Sequence, residues 1–179
     1  MNRRIFSFVY VGIYVWLAML SGCSNHQVYN KKYYMLSATR EKGTINEKND
    51  SILDIRHFTI DSAYSGKGFV YRIGKFEYES DFYNEFLVSP SALITEKVRN
   101  WISESSLFKR VLDHGSQADP THLIEGNITE LYGDFRDKES PIAVVEIRIF
   151  LLEIKDEVEP VIVIGKTYKS SIIFDSKSV

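Results

Sequence analysis

The one cysteine of the chain, Cys23, closes the run Leu20-Ser21-Gly22-Cys23. A partly ionised thiol is a good nucleophile, and two small residues before it let the backbone lie extended in a peptidase groove. That chemistry is acylation of the sulfur. A lone cysteine excludes an internal disulfide and any multi-thiolate metal site. The four histidines, His26, His57, His114 and His122, have neither HxH nor HxxxH spacing, which argues against zinc. No serine sits in a GxSxG setting. Gly66 and Gly68 in "SGKG" lack the GxxxxGK[ST] frame of a phosphate loop and lead into a strand, not a helix. Glu77 and Glu79 read as a solvated strand face. The residues therefore point to no catalytic group, no metal and no cofactor.

Stepping outward from Cys23, Arg3 and Arg4 form a short positive start, and Ile5 to Leu20 carries no charge. Positive start, apolar run and small-residue cleavage site are the order of a secretory signal peptide. The run is short of the roughly 20 residues a permanent span needs. Leu20-Ser21-Gly22-Cys23 resembles the lipobox of bacterial lipoproteins, which predicts cleavage before Cys23 and attachment of two or three acyl chains. A signal anchor with an incidental Cys23 is the bland alternative. Each buried methylene contributes about 0.8 kcal/mol, so two chains already hold a protein on a membrane. Ser24, where aspartate would signal inner-membrane retention, favours the outer membrane in a host with two membranes.

The elements behind the anchor read as one domain. The 44% apolar and 26% charged residues are ordinary for a globular protein, and a net charge of −2 gives no basic balance toward nucleic acid. Ser24 to Lys32 reads as a tether, "YYML" as a first strand, and Ala38 to Ser51 as a loop. "SILDIRHFTID" alternates like a single interior strand that includes His57. "GFVYRIGKFEYESDF" predicts a β-hairpin turning at Gly74-Lys75, with aromatics on one face and Lys75, Glu77, Glu79 and Asp81 on the other. Ser89 and Pro90 open a helix as N-cap and first residue. Its apolar stripe is Ile94, Val98, Trp101 and Ile102, with Glu96, Lys97, Arg99 and Asn100 outward. Three strands in an antiparallel meander follow. The fold class is α+β, an antiparallel or mixed sheet with helices packed on one face.

The "VYR" at Val70–Arg72, the "DFYNEFLVSP" at Asp81–Pro90 and the "SSLFKRV" at Ser105–Val111 resemble the ABC-type transport auxiliary lipoprotein family. "YYML" and "LDIRHFTI" are similar to its first strands, and the resemblance extends from Tyr33 to about Phe174. It implies a non-catalytic lipoprotein of the outer membrane, facing the periplasm. Its partners would be an MCE-family periplasmic subunit and, through it, an inner-membrane permease and ATPase. Such systems move lipids or other hydrophobic molecules between the two membranes. The contact expected here is Tyr71, Arg72, Phe76 and Tyr78, while Phe69, Phe82, Ile94 and Trp101 are expected in the core. Members of the family usually carry a further amphipathic helix after the last strand; here either that helix is absent or the reading frame is truncated at Val179, and its loss would expose an apolar strip that favours self-association or partner docking. The rival expectation is an envelope lipoprotein that activates a cell-wall synthase or assists outer-membrane assembly.

Overall fold

The computed structural model describes residues 30–38, 49–155 and 159–174. Leu20, Ser21, Gly22, Cys23, most of the tether and the loop over 39–48 lie outside them. The described residues from Lys31 onward belong to one compact unit. No helix among the described residues is long and apolar enough to cross a membrane.

The sheet is organised by one long strand, β7 (His122–Asp134). One edge of it pairs along its whole length with antiparallel β8 (Ile142–Glu153), which pairs in turn with antiparallel β9 (Val161–Ile173). This is the predicted meander, with the charged turn Arg136–Ser140 between β7 and β8. The opposite edge is shared in succession by three shorter strands, all parallel to β7. They are β2 (Asn49–Ile55), β3 (Thr59–Ile60) and β4 (Gly68–Arg72). Outside β2 lies parallel β6 (Phe108–Val111). Outside β4 lies antiparallel β5 (Tyr78–Phe86), and then β1 (Lys32–Tyr34) parallel to β5. The class is α+β with a mixed sheet, and the described residues hold one α-helix, α1 (Pro90–Ser105).

"SILDIRHFTID" is two strands rather than one. In an unbroken strand Phe58 would point away from the face carrying Leu53 and Ile55, because side chains alternate. The irregular step Arg56–Phe58 turns Phe58 back among them, and Leu53, Ile55 and Phe58 are all buried in one cluster. Gly126 on β7 makes room: a Cβ there would lie 2.6 Å from the Phe58 ring. The Phe58 N–H, released from the ladder, donates to Thr95 Oγ1 of α1 at 2.9 Å. His57 therefore sits in the break, hydrogen-bonded to Ser91 Oγ at 3.2 Å, and is not a strand residue.

The start of α1 is as expected. Ser89 Oγ accepts from the Ala92 N–H, and Pro90 occupies the first turn, where no N–H is needed. Ile94 is buried, with Val98 and Ile102 packed against the same cluster. Two side chains depart from the expected pattern. Trp101 is 47% exposed, because its row on the helix, with Lys97, runs along the edge of the contact and not through it. Arg99, expected outward, is only 6% exposed. It lies one turn beyond Thr95 and two beyond Ser91, a buried polar row facing the sheet. Its guanidinium donates to the carbonyls of Leu112 and Ile55, clasping the ends of two strands that the ladder leaves open.

Candidate functional site

The hairpin of β4 and β5 forms, with Tyr71 opposite Glu79 and Arg72 opposite Tyr78. The tip runs from Ile73 to Glu77, where the Ile73 and Gly74 N–H groups donate to the Glu77 carbonyl at 3.0 and 3.3 Å. A tip of that length keeps parity, so odd residues face odd ones. The expectation of aromatics on one face and acids on the other is thereby overturned. Tyr71 shares its face with Glu79 and Asp81, whereas Tyr78 shares the other with Arg72.

Tyr71 is consequently half-buried on the opposite face from Arg72 and Tyr78. Its hydroxyl donates to Asp81 Oδ2 at 2.9 Å, and its ring meets Phe135 edge-on at 5.1 Å. Burial, then the hydrogen bond to Asp81, pushes the Tyr71 hydroxyl pKa well up. For Asp81, burial acts to raise the pKa. Hydrogen bonds from the Asn84 side chain and backbone, the Tyr83 N–H and the Tyr71 hydroxyl outweigh it, and the net shift is downward. Tyr71 and Asp81 together fasten β4 to β5.

Arg72, Phe76 and Tyr78 do come together. Arg72 curls over the tip, donating from Nε to the Gly74 carbonyl at 3.3 Å and from Nη2 to the Lys75 carbonyl at 3.0 Å. Its guanidinium lies 5.7 Å from the Tyr78 ring centre. Phe76 stands at the tip, 86% exposed, with the Lys75 ammonium 5.2 Å from its ring. Tyr78 meets Tyr132 edge-on at 5.8 Å, and Tyr132 stacks on Tyr64. Burial, with neighbouring Tyr78 and acidic groups, pushes the Tyr64 hydroxyl up to about 12. Asp134, opposite Arg72, is buried and gripped by Arg136 from Nε at 2.9 Å and Nη2 at 2.6 Å. That grip holds its pKa below the usual carboxylate range. The tip is thus an exposed aromatic on a braced frame. Of the four residues expected to be in the core, Phe69 and Ile94 are inward; Phe82 at 64% and Trp101 at 47% exposure are not. Phe82 instead carries the Lys31 ammonium over its ring at 4.2 Å.

A second feature is an apolar trough on the sheet face that carries α1. The helix covers only part of that face. Beside it open two adjoining cavities of about 740 and 380 Å³, which share Leu36, Leu131 and Val145. The floor is β7 and β8, with β9 along one side; opposite β9 the larger cavity is walled by α1 and the smaller by β4 and β5. The side chains that β9 turns to the trough are Ile164, Lys166, Tyr168, Ser170 and Ile172, each paired with an odd-numbered residue of β8. Lys97 and Lys166 are the charged residues lining the larger cavity, one from each wall. Individual strands were legible in the sequence, but this trough depends on how little of the sheet one helix can cover.

A small polar cavity of about 170 Å³ brings His57, His114, Glu96 and Arg99 together near the start of α1. Sequence spacing gave no sign of it, since the residues come from three separate segments. The Arg99 Nε there has no hydrogen-bond acceptor among the described residues and faces Glu96 Oε2 at 3.8 Å. No three His, Cys, Asp or Glu side chains among the described residues are grouped to hold a metal.

No family model matches the chain, and no curated protein matches it. Its fold does have solved counterparts. A crystal structure of protein XCC0632 from Xanthomonas campestris, described by the family model DUF330, superposes with a TM-score of 0.69. The match covers 81% of this chain and 80% of that one at 12% identity. A second crystal structure, of an uncharacterized protein, gives a TM-score of 0.60 over 80% of both chains at 13% identity. At such identities the likeness establishes the fold alone.

Proposed function

We propose that this protein is a non-catalytic, lipid-anchored accessory component of an MCE-type ABC transport system. It would be held by Cys23 on the periplasmic side of the outer membrane. The lipobox-like Leu20-Ser21-Gly22-Cys23 and the family resemblance between Tyr33 and Phe174 support the reading. The geometric observation that carries it is the tip of the β4–β5 hairpin. Phe76 is 86% exposed while Arg72, Tyr78 and Tyr132 brace the frame beneath it. An exposed aromatic on a rigid support, with a cation beside it, is the composition of a protein-binding hot spot. The contact is accordingly assigned to Arg72, Phe76 and Tyr78, with Tyr71 as their internal support.

The test is capture of a candidate MCE-family subunit from the same host, comparing wild type with Phe76→Ser. That side chain is 86% exposed, so the variant is expected to keep its unfolding midpoint and lose most of the capture. Undiminished capture by the folded variant would remove the assignment. A second reading, carriage of lipid by the domain itself, is favoured by the trough, whose larger cavity is about 740 Å³ and mostly apolar, with Ser37, Lys97 and Lys166 among its lining residues. Native mass spectrometry decides it: carriage predicts co-purified lipid, and lipid-free protein from lipid-rich membranes rejects it.

A further inference from the structure

The outer edge of β9 pairs with no other strand among the described residues. A long, unguarded edge is a template for another strand. Folded proteins guard such edges with lysines, prolines or bulges, and β9 has two lysines and a bulge. Lys169 does not guard the edge: it is drawn across the sheet face to Glu130 and Glu146. Lys166 is laid on the Tyr168 ring, 4.9 Å from its centre. The bulge is at Val163, where the register against β8 shifts, so the strand runs uninterrupted from Ile164 onward.

Reversed about Tyr168, that stretch sets isoleucine against isoleucine and keeps its lysines apart. We propose that β9 pairs antiparallel with β9 of a second copy of this chain, about a two-fold axis through Tyr168. In this register Ile164 stands opposite the partner's Ile172, Lys166 opposite the partner's Ser170, and Tyr168 opposite the partner's Tyr168. On the other face Gly165 meets the partner's Ser171, and Thr167 meets the partner's Lys169. No lysine faces a lysine, and each Lys166 ammonium lies diagonal to the partner's tyrosine ring, within reach of a cation–π contact. Sliding by one pair in one direction centres the axis on Lys169 and sets the two Lys169 side chains against each other. Sliding by one pair in the other direction leaves Ile164 facing serine. The charge and apolar pattern therefore selects one register. Self-complementarity about an axis is what an isologous dimer requires.

The axis is perpendicular to the sheet, because opposed residues of an antiparallel pair share a face. The trough-lining side chains of both copies thus fall on one side. The two troughs join into a single apolar channel walled by two copies of α1, and half-exposed Ile164, Tyr168 and Ile172 gain neighbours. This inference does not depend on the transport reading.

The experiment is disulfide trapping in the full chain, in mild detergent, with Cys23→Ser so that the introduced thiol is the only one. Opposed residues of an antiparallel pair have Cα atoms about 4.5–5.5 Å apart, within disulfide range. Tyr168→Cys is expected to form a linked dimer on mild oxidation, while Lys138→Cys, on the exposed β7–β8 turn, stays monomeric. Lys166→Cys/Ser170→Cys places a second opposed pair and serves if Tyr168→Cys does not fold. Failure of the folded variants to link, or equal linking at Lys138→Cys, overturns the proposal. Neither result bears on capture of an MCE-family subunit.

Discussion

Gly126→Ala should destabilise this protein although it adds one methyl and removes a flexible residue. At a strand position with room, the change would stabilise by about 0.4–1 kcal/mol through the unfolded chain. Here the new Cβ would lie 2.6 Å from two carbons of the Phe58 ring and 2.7 Å from a third. Non-bonded carbons rest at about 3.5–4.0 Å, so the ring must retreat by roughly 1 Å. It cannot do so freely. Phe58 is completely buried among Leu53, Ile55 and Ile128, and its N–H is tied to Thr95 of α1. Overpacking of this kind costs about 1–3 kcal/mol. Urea unfolding at fixed protein concentration should show a lower midpoint with an unchanged slope. Phe58→Leu, destabilising alone, should relieve part of the Gly126→Ala penalty, giving a coupling of about 0.5–3 kcal/mol in the double variant. A Gly126→Ala protein as stable as wild type, or additive effects in the pair, would refute the close fit of ring and glycine.

Other consequences are as direct. Arg99→Met should cost about 2–6 kcal/mol in the same assay, at about 1–3 kcal/mol for each of the buried carbonyls of Leu112 and Ile55 left without a donor; Arg99→Lys should not restore the loss, since one ammonium cannot reproduce the planar fork. Asp134 has its pKa lowered in the folded state by Arg136, so its contribution is present above the unfolded value of about 3.9 and is lost as pH falls through the lower folded value. Unfolding free energy followed from pH 6 downward should therefore fall less steeply in Asp134→Asn than in wild type, and parallel curves would contradict the assignment.

The parts of the fold written in local pattern were legible. Ser89 and Pro90 mark the start of α1 because capping is local chemistry, and the alternation in β7 to β9 gives a meander whatever else the chain does. The misread positions are decided at a distance. Nothing within "SILDIRHFTID" says it must break; the reason is the space above Gly126, on a strand far along the chain. Arg99 reads as surface by charge, and only the unpaired carbonyls at the ends of β2 and β6 make its burial favourable. The faces of the hairpin depended on whether the tip held an odd or even number of residues, and one residue inverts the answer. Tyr71 looked like a contact for that reason, whereas its hydroxyl is held by Asp81 across the hairpin and its ring meets Phe135 beyond β7. The trough and the edge of β9, unpaired among the described residues, are properties of the assembled sheet and have no local signal, although the spacing of Ile164, Tyr168 and Ile172 was in the sequence throughout.

The functional account rests on a domain held to a membrane by its own N-terminus. Its most direct test is the mass of the N-terminal peptide from protein extracted from membranes of the native host. The account predicts a peptide beginning at Cys23 and heavier by a diacylglyceryl group, with or without a third acyl chain. An unmodified Cys23 with Leu20, Ser21 and Gly22 still attached would contradict it.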